Sequence, residues 1–173
     1  MIWHIKRENM QNLDQFLELF NPLPGNHYLQ VTTEVDETTD ALVKVLEKVG
    51  GEFSLALYSE EETDLSTQYP DAKIQYIKNF KQPFRAIPRD NDMVILKDIF
   101  HLHENQKMIL KIAYTTLANT ANIIIMQKKG TMDIEAMKNM LEEFEFRAPN
   151  SIDLLPNYDL VIAKKMHMWG NGL

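Results

Sequence analysis

The chain has 173 residues, a formal net charge of −7 and no cysteine. A chain of this length can bury a substantial core without disulfide bonds, and the lack of cysteine excludes thiolate zinc sites and cysteine nucleophiles. The acidic balance argues against general nucleic-acid binding, and no apolar run reaches the roughly 20 residues that span a bilayer. We therefore expect one domain over residues 1–173, without a membrane segment, in the cytoplasm.

Helices and strands alternate along the sequence. In chain order we expect strands over residues 27–33, 53–58, 73–77, 92–99, 121–127 and 158–165, with a further strand within 145–155. Helices are expected over residues 10–20, 38–49, 104–117 and 133–144, with a helical turn within 59–70. The alternation predicts an α/β fold, in which a doubly wound, mostly parallel sheet of seven strands carries helices on both faces. The helix over residues 10–20 precedes this unit.

The C-terminal half carries the text that resembles a known family. Residues 92–117 read DMVILKDIFHLHENQKMILKIAYTTL, residues 121–130 read ANIIIMQKKG, and the last two strands follow each other without a helix. This order and text resemble the class I S-adenosylmethionine (SAM)-dependent methyltransferases over about residues 27–165. The resemblance implies a Rossmann-like sheet with a reversed C-terminal strand, SAM as cofactor, and methyl transfer to a substrate that the sequence does not identify.

The turn after the first strand departs from that family, which has an acid followed by Gly-x-Gly-x-Gly there. Aligning on the helix that follows puts Glu34 at the acid, and puts Asp36, Thr38 and Asp40 at the three glycines. Their side chains take space that glycine leaves for the cofactor, and the acids add negative charge beside its carboxylate. The resemblance implies a cofactor site over Thr33, Glu34, Asp36 and Thr38. The missing glycines give the alternative: a cofactor-free scaffold that acts through protein contacts.

Two further cofactor contacts follow from the resemblance. The family holds the ribose hydroxyls with an acid after the second strand, and Glu60, with Glu61 beside it, stands at this place. The adenine contact after the third strand falls on Lys78 or Asn79, where the sequence has no acid.

Asp98, His101 and His103 follow the fourth strand and are the candidate catalytic residues. Ligands of open α/β sheets bind beyond the carboxyl ends of the strands, and a histidine there can act as a general base because its pKa lies near neutrality. The His-x-His pair also has a metal-ligand spacing if the segment is extended. Loop histidines without a ligand are the simpler interpretation, so we assign no metal site.

The C-terminal tail, residues 166–171, reads MHMWGN. Thioethers and imidazole suit copper, but methionine more often fills a core or an interface, and we favour that interpretation. The tail and the N-terminal helix are the expected contact surfaces for a protein partner or for a second copy in a homodimer. A third hypothesis is a different α/β protein that binds a small molecule in the crevice beyond the carboxyl ends of the strands.

Overall fold

A computed structural model describes residues 13–61 and 63–166 of the chain. Its strands are β1 (His27–Thr32), β2 (Glu52–Tyr58), β3 (Lys73–Ile77), β4 (Asn91–Lys97), β5 (Leu117–Lys128), β6 (Phe146–Ile152) and β7 (Tyr158–Lys165). They form one seven-stranded sheet in the order β3-β2-β1-β4-β5-β7-β6. Strands β1 to β5 pair in parallel, whereas β7 runs antiparallel to both β5 and β6. The predicted fold class, with its reversed C-terminal strand, is confirmed.

Three longer helices connect the strands: α1 (Glu37–Glu47), α2 (Gln106–Thr116) and α3 (Ile134–Glu143). Residues 13–17 are also helical, and Phe100–Leu102 form a 3-10 turn after β4. Helix α1 ends shortly before Gly50, whose φ of 63° lies in the left-handed region that glycine adopts most easily.

The connections agree with the expectations in one segment and depart from them in another. The segment 59–70 consists of turns among its described residues, and the Tyr69 amide donates to the Leu65 carbonyl at 2.8 Å, which closes the helical turn expected there. Strand β5 begins at Leu117, directly after α2, and not at residue 121. Leu117 pairs with Asn91, and a register shift follows before the next paired residues.

The sheet separates two hydrophobic layers. On one face, Leu42 and Leu46 of α1 pack with Phe16 against the sheet. On the other face, Ile109 of α2 and Leu141 of α3 pack against it. Helices therefore cover both faces, as expected from strands whose apolar runs are continuous. The carboxyl ends of β1, β2, β4 and β5 meet at one edge, and this arrangement places the predicted site residues near one another.

Candidate functional site

The turn between β1 and α1 ends in a reciprocal helix cap. Asp36 is the N-cap residue, and its Oδ1 accepts a hydrogen bond from the Thr38 amide at 2.9 Å. The Asp36 amide donates in return to Thr39 Oγ1 at 3.3 Å, and that hydroxyl donates to Gln30 Oε1 on β1 at 2.7 Å. Such a reciprocal cap stabilises a helix start by about 1 kcal/mol and satisfies amides that otherwise bind anions.

Lys97, the last residue of β4, extends its side chain to this cap. Its relative exposure is 1%, and its Nζ lies 2.8 Å from Asp36 Oδ2 and 3.2 Å from Asp98 Oδ2. The same ammonium lies 5.0 Å from the centroid of the Tyr158 ring, at the start of β7. Because a buried ammonium is costly unless it is paired, these contacts explain how a lysine can stand inside an apolar strand.

Asp36 keeps this lysine charged. Burial by itself lowers the pKa of the Lys97 ammonium, but the hydrogen bond and the negative charge of Asp36, together with Tyr158, outweigh that effect. The pKa therefore lies above its ordinary value of 10.5. The edge of the sheet thus carries a fixed positive charge between two carboxylates.

Asp98 links three strand ends. Its Oδ1 accepts from the Lys128 amide at 2.9 Å, and its Oδ2 accepts from the Tyr158 hydroxyl at 3.0 Å in addition to Lys97. Its φ of 56° is a left-handed conformation that costs a non-glycine residue on the order of 1 kcal/mol, although Asp tolerates it better than most. Both carboxylate oxygens are occupied, and neither has a contact with His101 or His103 among the described residues.

The two predicted histidines point to different surroundings. His103 is buried, its Nδ1 donates to the Ile99 carbonyl at 2.8 Å, and its ring meets Tyr58 and Phe80 edge-on at centroid distances of 4.9 and 5.3 Å. Burial lowers the pKa of the imidazole, so the ring stays neutral near pH 7. Its Nε2 has no hydrogen-bond partner in the described part of the chain. His101 is exposed and lines a separate cleft beside α3.

The predicted ribose and adenine contacts lie on exposed turns. Glu60, Lys78 and Asn79 are all exposed. The ends of β2 and β4 are instead joined by an aromatic cluster, in which Phe80 stacks on Tyr58 at 4.9 Å and the Tyr58 hydroxyl donates to the Gln82 carbonyl at 2.8 Å. The space between these strand ends is therefore packed with side chains of the protein itself.

A cleft of about 430 Å³ opens beside Asp36 and Tyr158, two of the residues that surround the Lys97 ammonium. It is lined by Leu13, Asp36, Glu37, Thr38, Asp40, Leu155, Pro156, Asn157 and Tyr158. Three of its residues are acids and none is basic. The cleft therefore reaches the carboxylate that holds Lys97, and it gives solvent a path to that carboxylate.

The side chains in this arrangement do not fit SAM. The three positions that the resemblance gives to glycine are occupied and bonded: Asp36 holds Lys97, Thr38 is buried in the first turn of α1, and Asp40 accepts from the Tyr69 hydroxyl at 2.5 Å. Thr33 is half-buried, and Glu34 is exposed before the cap. The cofactor's carboxylate, which the resemblance puts at this turn, would face the acids Glu37 and Asp40, and Asp36 is already paired with the Lys97 ammonium.

Lys97 and Tyr158 were not among the residues singled out from the sequence. A signal was present, because strand alternation puts Lys97 on the same face as Met93 and Ile95, and a buried lysine needs an acid nearby. The sequence does not state which acid, because Asp36 becomes its neighbour only when β1 pairs with β4.

The described residues contain neither a candidate metal site nor a helix that could span a membrane. No group of three or more potential ligands among His, Cys, Asp and Glu could hold a metal ion in residues 13–61 and 63–166. In the same ranges, no helix has the length and hydrophobicity needed to cross a membrane.

Comparison with known proteins finds the fold but no related sequence. No protein-family model and no curated protein matches the chain. A SAM-dependent methyltransferase from Aquifex aeolicus superposes with a TM-score of 0.68 at 15% identity, over 88% of this chain and 89% of its own. The phosphoethanolamine N-methyltransferase 2 of Haemonchus contortus, solved with S-adenosyl-L-methionine, gives 0.69 at 10% identity over 91% of this chain, which spans about half (52%) of that enzyme.

A third neighbour was solved with a protein partner. A complex between the Haloferax volcanii Trm112 methyltransferase activator and a methyltransferase contains a chain that gives a TM-score of 0.67 at 10% identity, over 95% of this chain and 92% of its own. Likeness at such identities shows the fold alone. The chain has the fold of the class I SAM-dependent methyltransferases.

Proposed function

We propose that this chain is a methyltransferase-fold protein that does not use SAM and that acts by contacting another protein. The observation that carries the proposal is the ion pair between Lys97 and Asp36, 2.8 Å long, across the turn where the fold family binds its cofactor. The capped start of α1 supports it, because the Thr38 amide is already bonded to Asp36.

The size of the ion-pair effect supports the same conclusion. A cofactor that occupied this turn would displace the Lys97 ammonium from its two carboxylates, and breaking a buried pair costs about 3–5 kcal/mol. Micromolar binding corresponds to about 8 kcal/mol, so a loss of 3 kcal/mol weakens a ligand by roughly two orders of magnitude. If the ammonium stayed in place, the carboxylate of SAM would still meet Glu37 and Asp40, at a cost on the order of a few kcal/mol for a close like-charge contact.

The second candidate function is that of a divergent SAM-dependent methyltransferase with an unknown substrate. The structural neighbours favour it, since several are SAM-dependent enzymes, and the cleft of about 430 Å³ adjoins the start of α1. In this case SAM would lie over residues 33–38 with Glu60 near its ribose, and Asp98, His101 and His103 would supply the acid and base groups. The comparisons favour this candidate, whereas the side chains at the strand ends favour the first.

Calorimetric titration separates the two candidates. Purified protein at about 100 µM is titrated with SAM and with S-adenosylhomocysteine, and the Aquifex aeolicus methyltransferase serves as the positive control for ligand and instrument. We expect no saturable heat from this chain under conditions in which the control binds. A dissociation constant in the micromolar range for either ligand overturns the first candidate and supports the second.

The partner half of the proposal needs a separate test. Leu102 and Met108 are each 44% exposed, and both lie near the carboxyl end of β4. In the neighbour from Haloferax volcanii the fold occurs together with a second protein chain. We expect in-cell cross-linking to recover one reproducible partner with wild type and markedly less of it with a Leu102→Ser, Met108→Ser variant. A strictly monomeric protein without a reproducible cross-link contradicts this half.

A further inference from the structure

We propose that Asp36, Asp98 and Tyr158 form a binding site for a primary alkylammonium ion, and that the side chain of Lys97 is its built-in occupant. The inference rests on the first candidate function, in which the Lys97 side chain and not an external ligand occupies the turn between β1 and α1. The occupant is directly visible: Nζ of Lys97 lies 2.8 Å from Asp36, 3.2 Å from Asp98 and 5.0 Å from the Tyr158 ring centroid.

The walls of this site are held by groups other than Lys97. The Thr38 amide fixes Asp36 by its Oδ1, the Lys128 amide fixes Asp98 by its Oδ1, and the Tyr158 hydroxyl binds Asp98 Oδ2. None of these three hydrogen bonds involves Lys97. The site is therefore preorganised, and preorganisation lowers the cost of binding a ligand there.

The chemistry of the walls selects the ligand class. Two carboxylates and the face of an aromatic ring attract a compact cation, and the ammonium hydrogens can donate to both carboxylates. Truncating Lys97 to alanine removes a fragment that corresponds to n-propylammonium. Asp36 and Tyr158 also line the cleft of about 430 Å³, so an ion of this size has a path to the vacated space.

The matched control is the other buried lysine of the sheet. Lys165 Nζ lies 4.6 Å from the Tyr114 ring centroid and donates to the carbonyls of Tyr114 and Leu117 at 2.7 Å each. In the described part of the chain no carboxylate forms an ion pair with it. It thus shares burial and an aromatic face with Lys97 but lacks the two carboxylates.

The experiment is chemical rescue of the Lys97→Ala variant. Thermal unfolding is followed while n-propylammonium chloride is raised, with equal concentrations of sodium chloride and of n-propanol as separate controls. We expect a saturable rise in the Tm of Lys97→Ala, about 4 °C at ten times the dissociation constant, and calorimetric binding of n-propylammonium. Wild type and Lys165→Ala should respond to n-propylammonium no more than to sodium chloride.

Each result decides the inference. If Lys97→Ala is unfolded in buffer, circular dichroism at rising n-propylammonium replaces the Tm, and failure to recover the folded signal overturns the proposal. An equal response of Lys165→Ala, or an equal response to n-propanol, also overturns it. Binding of SAM to wild type would defeat the first candidate function instead, so the two failures are distinguishable. A folded Lys97→Ala without rescue defeats the internal-cation site alone.

Discussion

Two buried lysines lie at opposite ends of the strands of the sheet, and they show how a carboxylate partner changes the pKa of a buried ammonium. Lys97 ends β4 at the carboxyl ends of the parallel strands, and Lys165 ends the reversed strand β7 at the opposite side. Each ammonium lies over a tyrosine ring, at 5.0 and 4.6 Å from the centroid. The difference is in the remaining partners, because Lys97 binds Asp36 and Asp98, whereas Lys165 binds two backbone carbonyls at the end of α2.

The partners determine the direction of each pKa. Burial lowers both values, but at Lys97 the hydrogen bond and negative charge of Asp36, together with Tyr158, outweigh burial and raise the pKa. For Lys165 the burial effect stands, and the positive charge of Arg89 lowers the pKa further. Lys165 is therefore understood as a cap on the last carbonyls of a helix, a role that lysine commonly has. Lys97 has no such local role, because its partners Asp36 and Asp98 are carboxylates at the ends of different elements.

The largest expected effect is the loss of stability when Lys97 is replaced by an uncharged residue. Lys97→Met keeps the stem volume but leaves Asp36 and Asp98 without their cation, and we expect the free energy of unfolding to fall by about 3 kcal/mol. This is the low end of the range for a buried pair, because the Asp36 side chain is 32% exposed and solvent compensates in part. Urea unfolding followed by circular dichroism measures the change. A loss below about 0.5 kcal/mol would show that the pair contributes as little as a surface salt bridge.

A smaller effect is expected at the other edge. Lys165→Met removes two hydrogen bonds to carbonyls but leaves no charge behind, and we expect a loss of about 1 kcal/mol. The same urea experiment on both variants compares their losses in the free energy of unfolding. If Lys165→Met cost more than Lys97→Met, the carboxylates would not be the source of the difference. Among the described residues no contact joins the two sites, so the double variant should lose about the sum of the two losses.

The sheet could be predicted from sequence because its signals are local. The solid apolar runs of β4 and β5 predict buried strands, and the two final strands without a helix between them support the resemblance that implies a reversed C-terminal strand, which the structure confirms. The helix expected over residues 133–144 begins at Asp133, which caps α3 by accepting from the Ala136 amide at 3.1 Å. Such features depend on neighbours within a few residues, and a single sequence contains them.

The candidate site could not be predicted to the same extent, because its contacts are long-range. Asp36 meets Lys97 only because β1 and β4 are adjacent, and the sequence pattern does not state which acid a buried lysine finds. The histidines differed for another reason: Phe100–Leu102 form a 3-10 turn, so His101 and His103 do not share one face as they would in an extended segment. Their predicted catalytic role stays a prediction.

The smallest expected effect is the pH dependence of stability, and it distinguishes Lys97 from Lys165 most directly because their pKa values shift in opposite directions. The folded-state pKa of Lys165 lies below its ordinary value of 10.5, so between these two values the unfolded chain binds more protons and the Lys165 contribution to stability rises with pH. The folded-state pKa of Lys97 lies above 10.5, so its contribution is complete below that pH and is lost only as pH rises through the folded value. Urea unfolding in steps of about one pH unit up to pH 10.5 compares the free energy of unfolding of wild type with that of each variant. One proton contributes at most about 1.4 kcal/mol per pH unit. We expect the wild type to gain on Lys165→Met across this window while its margin over Lys97→Met stays constant, and equal slopes for the two variants would contradict the carboxylate explanation.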